Sequence, residues 1–141
     1  MQIALRIHSI SKVFKNIKLL SRLIDYINYL LFNVWIPANA KIGKGTKLSK
    51  GGIAVIIHRR SIIGQNCLIG SCVTIGGRSG IYDVPIIGNN VYISTGAKLL
   101  GNINIGDNVI IGANSVVIND IPANSTAVGI PAKVIKINEK K

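Results

Sequence analysis

The chain has 141 residues, 48% hydrophobic but only 5% aromatic, and its 17 Lys and Arg against 5 Asp and Glu give a formal net charge of +12. That length allows one domain with at most a short appendage, and the charge points to an anionic ligand, an anionic membrane surface or solvated outer faces. No basic patch interleaved with base-stacking aromatics is present, so a nucleic-acid partner is not expected.

The only two cysteines, Cys67 and Cys72, form no CxxC pair and cannot build a zinc site, so they read as small residues in a reducing compartment. The N-terminus lacks a compact apolar run with a cleavage site, and a cytoplasmic location is expected. In residues 1–34, Ile10, Val13, Phe14, Ile17, Leu20, Ile24, Ile27, Leu31 and Val34 recur at three- and four-residue steps, which is helical spacing. One helix, or two with a break near Ser21, is expected to cap the open end of whatever follows. The alternative is a basic amphipathic segment resting on an anionic membrane as a peripheral contact, because Lys12, Lys15, Lys18 and Arg22 lie between the apolar positions. No run is long enough to span a bilayer.

From Ile36-Pro37 onward the period changes. Ile36, Ile42 and Leu48 stand six apart, and after three extra residues around Lys50-Gly51-Gly52 the count resumes at Ile57, Ile63, Ile69 and Ile75. It then passes through Ile81 to Ile87, Ile93, Leu99, Ile105, Ile111 and Val117. A six-residue period matches neither a helix nor simple alternation; it fits an all-β solenoid, a parallel β-helix whose aliphatics stack in an inner column. Gly76 to Gly80 and Pro85 are poor strand formers, so residues 77–85 are expected to leave the coil as a loop. The β-helix is assigned to residues 35–122, and residues 123–141 to a fold-back through Ala127–Lys133 and a frayed tail at 139–141.

The rungs, the Gly76-Gly77 pair, Ser94-Thr-Gly-Ala-Lys98 and the closing Val128-Gly-Ile-Pro-Ala-Lys133 resemble the hexapeptide-repeat acyltransferases over roughly residues 36–137. The nearest branch is the serine acetyltransferase-like group, which includes enzymes that O-acetylate bacterial surface polysaccharides. The resemblance implies a left-handed parallel β-helix, a homotrimer, and acetyl-CoA bound as co-substrate between neighbouring subunits. The chain departs from the serine acetyltransferases at two motifs. Where they carry a His in the bulge it has Lys50-Gly51-Gly52, and where they carry Arg-His-Pro in the loop it has Asp83-Val84-Pro85. These departures favour a sugar hydroxyl of a capsule or surface polysaccharide as acceptor, with serine or another small molecule as the alternative.

Three rungs of six make one coil, so residues eighteen apart are expected to stack. That aligns Ile57, Ile75, Ile93 and Ile111, then His58, Gly76, Ser94 and Gly112, then Arg59, Gly77, Thr95 and Ala113. O-acetyl transfer needs a base for the hydroxyl proton and donors for the oxyanion. With His8 in the N-terminal segment, His58 is the candidate base by elimination, and Asp83 the candidate to orient it. Gly76, Gly77, Thr95, Gly96 and Ala113 form the small-residue path that the resemblance assigns to the pantetheine arm. Lys98, Lys133 and Lys136 are candidate partners for the CoA phosphates. Arg78 and Tyr82 are candidates for holding a sugar acceptor. A carbonic anhydrase on this fold would need three zinc-binding histidines, and only His8 and His58 exist. A purely structural solenoid remains the non-enzymatic alternative, against which the register-breaking loop and the corner His58 both count.

Overall fold

The structure, a computed structural model, describes residues 3–137; the tail at 139–141 lies outside them. Two helices, α1 (Ile3–Val13) and α2 (Lys18–Phe32), precede a parallel β-solenoid of very short strands. One sheet stacks β1 (Lys41–Ile42), β4 (Ile62–Ile63), β7 (Ile86–Ile87) and β10 (Asn104–Ile105). A second stacks β2 (Lys47–Leu48), β5 (Leu68–Ile69), β8 (Tyr92–Ile93), β11 (Ile110–Ile111), β13 (Ser125–Gly129) and β14 (Ala132–Ile137). The third stacks β3 (Ile56–Ile57), β6 (Thr74–Gly76), β9 (Lys98–Leu100) and β12 (Val116–Val117). All pairings are parallel except the final hairpin of β13 with β14.

Each rung spends its sequence economically. The second residue of the strand points in and the first points out, so Ile57, Ile69, Ile75, Ile93, Leu99 and Ile111 are buried while Ile56, Ile62, Leu68 and Ile86 stay exposed. The residue after the inner aliphatic must turn the corner with its backbone pressed on the next coil. At Gly64 an added Cβ would stand 2.4 Å from the Gly88 carbonyl oxygen, which leaves room for hydrogen alone. The next corner residue needs positive φ, and asparagine tolerates it. Asn66, Asn90, Asn108 and Asn124 all adopt φ between 55° and 59°. They stack as a ladder, Asn90 Nδ2 donating to Asn108 Oδ1 at 3.2 Å and Asn108 Nδ2 to Asn124 Oδ1 at 2.8 Å.

The register corrects the vertical alignment expected from sixes. Ile57 pairs with Ile75 and Ile93 with Ile111, but Ile75 pairs with Leu99 and Ile69 with Ile93. The coil containing residues 77–85 is thus six residues longer than a regular one. Ile81 sits in the protruding loop, 40% exposed, rather than on a rung. The inner column is therefore Ile57, Ile75, Leu99 and Val117, and Gly76 lies beneath Leu100, not Ser94. The aliphatic at position 81 kept the period of six, while the glycines around it removed the strand. Near the end of the assigned span Ile121 bridges Ile105, and beyond it β13 adds a rung with Ala127 beside Ile111.

The helical segment departs from expectation in the place of its break. The break falls between Val13 and Lys18, not near Ser21. The face turned inward is polar: Ala4, His8 and Ser11 of α1 and Ser21, Asp25 and Asn28 of α2 are buried. Ser11 Oγ donates to Asp25 Oδ1 at 2.6 Å, and Asn28 Nδ2 to the Ala4 carbonyl at 3.2 Å. The first rung is tied to this seam by its backbone, the Ala38 N–H donating to Asp25 Oδ2 at 3.3 Å and the Ile36 carbonyl accepting from His8 Nδ1 at 3.1 Å. Burial pushes the His8 imidazole below its ordinary pKa and so keeps it neutral, outweighing the Ile36 carbonyl and Asp25. Leu5 and Phe32 pack partly buried against the core, while Ile10, Val13, Leu19, Leu23, Ile27, Leu30 and Leu31 are left exposed.

Candidate active site

His58 directly follows β3, where the chain turns from the third sheet to the first. It lines a groove of about 1150 Å³ between the solenoid and α2. Arg22, Leu23, Asp25 and Tyr26 of α2 form one wall; Trp35, Ile56, Arg59 and Gly76 help form the other. Trp35 is fixed there because it continues the third sheet downward, bridging Ile56, and its ring meets Tyr29 edge-on at 6.2 Å.

Three features define the state of His58. Its Nδ1 accepts the Arg60 N–H at 3.2 Å, so the neutral ring carries its proton on Nε2. Partial burial, then the charges of Arg60 and Arg59, lower its pKa from 6.5. The ring is accordingly neutral at pH 7. Arg59→Gln is expected to raise the His58 pKa without restoring 6.5, because burial is the larger cause and persists. Imidazole proton shifts followed through a pH titration check this; an unmoved midpoint would mean that solvent already screens the Arg59 charge.

Among the described residues no acid orients the imidazole. Among the described residues no hydrogen bond or ion pair joins Asp83 to His58, and Asp83 is exposed. The other described carboxylates are engaged elsewhere: Asp25 in the helical seam, Asp107 with the Asn89 N–H at 2.6 Å and Asp120 with the Asn104 N–H at 2.7 Å.

The 77–85 loop is held from below. Arg60 donates from its guanidinium to the Tyr82 carbonyl and lies 3.7 Å from the Tyr82 ring centroid. Arg78 and Ile81 close a tight turn through the Ile81 N–H at 3.0 Å, with Gly80 at φ +77°. One face of Tyr82, expected to be free for an acceptor, is covered by Arg60. This Arg60 clamp escaped the sequence reading, because only the register brings positions 60 and 82 together; a cation beside a Gly-rich loop was the one available signal.

The remaining candidates lie on a different corner. Thr95, Gly96 and Ala113 turn the chain from the second sheet to the third. The Gly96 N–H donates to the Ser71 carbonyl and the Asn114 N–H to the Thr95 carbonyl. Lys98 Nζ reaches the Cys72 carbonyl at 2.5 Å on the same corner. Below them is the bulge Ser49–Gly52, where Lys50 (φ 46°) and Gly51 (φ 77°) are held left-handed. Gly52 stands at φ +87°, where a side chain is strained, and an added Cβ would also press on Leu48 Cδ1 at 2.5 Å. Lys133 and Lys136 stand exposed on β14. Gly76, Gly77, His58, Arg78, Tyr82 and Asp83 belong to the corner at the other edge of the third sheet. The expected column of Gly77, Thr95 and Ala113 is therefore corrected: the six extra residues of the loop coil leave Thr95 one corner short, at the turn that precedes the corner of Gly77.

Comparison with known proteins agrees with this architecture. A family model described as bacterial transferase hexapeptide (six repeats) matches residues 85–119. The chain is similar to the serine acetyltransferase of Synechococcus elongatus, 43% identical over 124 residues, 86% of this chain and 50% of that protein. It is equally similar to the serine acetyltransferase of Staphylococcus xylosus, 43% over 119 residues, 83% of this chain and 55% of that one. Among solved structures, a serine acetyltransferase complexed with CoA superimposes with TM-score 0.87 at 34% identity, covering 94% of this chain and 55% of the other. The Neisseria gonorrhoeae serine acetyltransferase gives TM-score 0.91 at 34% identity, covering 98% and 55%. The chain thus spans about half the length of the curated relatives it matches. Its solenoid is the left-handed parallel β-helix that the resemblance to the hexapeptide-repeat acyltransferases implies. By its repeats and by this fold, the chain belongs to the hexapeptide-repeat acyltransferase family.

Proposed function

We propose that the chain is an acetyl-CoA-dependent O-acetyltransferase whose acceptor is serine or a close hydroxy amino acid. The observation that carries this reading is the 43% identity to serine acetyltransferases over 86% of the chain. The CoA complex among the similar structures supports the donor. The sugar acceptor expected from the sequence has no counterpart among these relatives and gives way to serine.

In the reaction the acceptor hydroxyl attacks the thioester carbonyl carbon. A C–O bond forms, the C–S bond breaks, and the hydroxyl proton passes through a base to the departing thiol. His58 is the proposed base, neutral at pH 7 because burial and two arginines disfavour its cation. Thr95, Gly96 and Ala113 are proposed to lie along the pantetheine arm, and Lys98, Lys133 and Lys136 to meet the CoA phosphates as point charges. Since His58 and the small-residue corner sit at opposite edges of the third sheet, the reading places the reacting groups between adjacent copies of the chain, as in a homotrimer.

Thiol release from acetyl-CoA, measured against serine, threonine, homoserine and simple sugars, tests the proposal. Release with serine at least tenfold above the sugars is expected. Release with sugars alone would return the acceptor to the polysaccharide class, and none with any acceptor would remove the acetyltransferase reading.

A further inference from the structure

We propose that the outward face of the α1–α2 hairpin is a docking surface for an anionic lipid bilayer. No helix here is long and apolar enough to cross a membrane, so the contact is a peripheral one. The first observation is the inversion of the hairpin. Its hydrogen-bonded polar seam, Ser11 to Asp25 and Asn28 to Ala4, is the side docked on the first rung. This seam fixes which side of each helix is turned in. The apolar residues at helical steps are consequently left in water: Val13 is 77% exposed, Ile17 55%, Leu30 63% and Leu31 65%. The buried inner-rung aliphatics are 0–4% exposed, and the outward strand residues Ile56, Ile62, Leu68 and Ile86 only 37–47%. An uncovered aliphatic surface of this kind marks an interaction site rather than a neutral face.

The second observation identifies the occupant. Between residues 3 and 34 the exposed charges are Arg6, Lys12, Lys15, Lys18 and Arg22, and the single acid, Asp25, is buried in the seam. A second copy docking face to face would bring the same cations against these. A bilayer rich in anionic headgroups supplies the opposite charge and an apolar layer beneath it, which is what a cationic amphipathic hairpin fits. Tyr29 of α2, 44% exposed and outside the lining of the His58 groove, is a side chain of the kind that settles at the headgroup level.

The test is flotation of the full chain with vesicles of phosphatidylcholine alone and of phosphatidylcholine with 30–40% phosphatidylglycerol (about the anionic fraction at which a polybasic surface binds). Binding to the anionic vesicles only is expected, falling as salt rises from about 0.1 to 1 M. Leu30→Ser with Leu31→Ser changes two exposed side chains and is expected to abolish binding with an unchanged melting curve. Lys12→Gln with Lys15→Gln is expected to weaken it by about 25-fold, roughly fivefold per charge. Absence of binding to the anionic vesicles overturns the proposal, and so does binding that ignores the leucine pair. A third overturning result is an oligomer that the leucine pair dissociates while vesicles are ignored, which would assign the face to a second copy. None of these outcomes depends on the acceptor assay.

Discussion

Replacing His58 by alanine is expected to lower kcat for acetyl transfer by ~10²–10⁴-fold, the usual contribution of a positioned base, with little change in KM for acetyl-CoA. The difficulty lies in the resting geometry. With Nδ1 engaged by the Arg60 N–H, the ring presents a proton at Nε2 rather than a lone pair. Releasing a 3.2 Å N–H···N contact costs about 0.5–1.5 kcal/mol, the net worth of one ordinary hydrogen bond. That is about tenfold in rate at most, and the gain from a base is one to three powers of ten larger. The base role therefore survives the cost. His58→Gln separates this role from its rival, because glutamine can donate an N–H to an oxyanion but cannot take a proton at pH 7. Both variants are expected to fall together. Glutamine retaining more than about a tenth of the rate would make His58 a donor to the oxyanion. Alanine retaining as much would move the proton transfer to another group, first to Lys50 on its left-handed bulge.

Much of the solenoid was legible because its repeat is a direct physical requirement: a two-residue strand has one inward position, and only an aliphatic fills it. The bulge at 49–52 was visible as three surplus residues, and the register Leu48 with Ile69 bears that count out. The loop was visible in its glycines, but its length was not. Ile81 kept the period of six, so sequence spacing could not tell a rung from a residue that leaves the stack. That single miscount moved Thr95 and Ala113 to a corner away from His58 and Gly77. The orientation of the hairpin was not legible for a different reason. Helical periodicity identifies an apolar stripe, but it does not say that the stripe faces the core. Here Ser11 pairs with Asp25, Asp25 with the Ala38 N–H and Asn28 Nδ2 with the Ala4 carbonyl, and these bonds hold the polar side chains inside although Asn28 Oδ1 has no partner among the described residues.

Ile93→Ala is expected to destabilise the fold by about 2–5 kcal/mol, the range for truncating a buried aliphatic that leaves a cavity. Ile93 is fully buried and is stacked from both sides, on Ile69 below and Ile111 above. Its backbone is equally committed, the Gly70 N–H donating to its carbonyl at 2.7 Å. The layers cannot close over the missing atoms, since the spacing between coils is set by these hydrogen bonds and by the glycine corners. Ile121→Ala is the matched control: the chemistry is identical, but Ile121 bridges Ile105 on one side only and is 4% exposed. In a solenoid whose stability is a sum of neighbour contacts, a rung with one neighbour can relax where a rung with two cannot. Its loss should stay below that of Ile93. Urea midpoints of the two variants at one fixed protein concentration make the comparison, because self-assembly would otherwise shift apparent stability. Equal losses would mean that the coils do not hold one another at fixed height, and the rigidity that presents His58 to its groove would then need a source other than the stack.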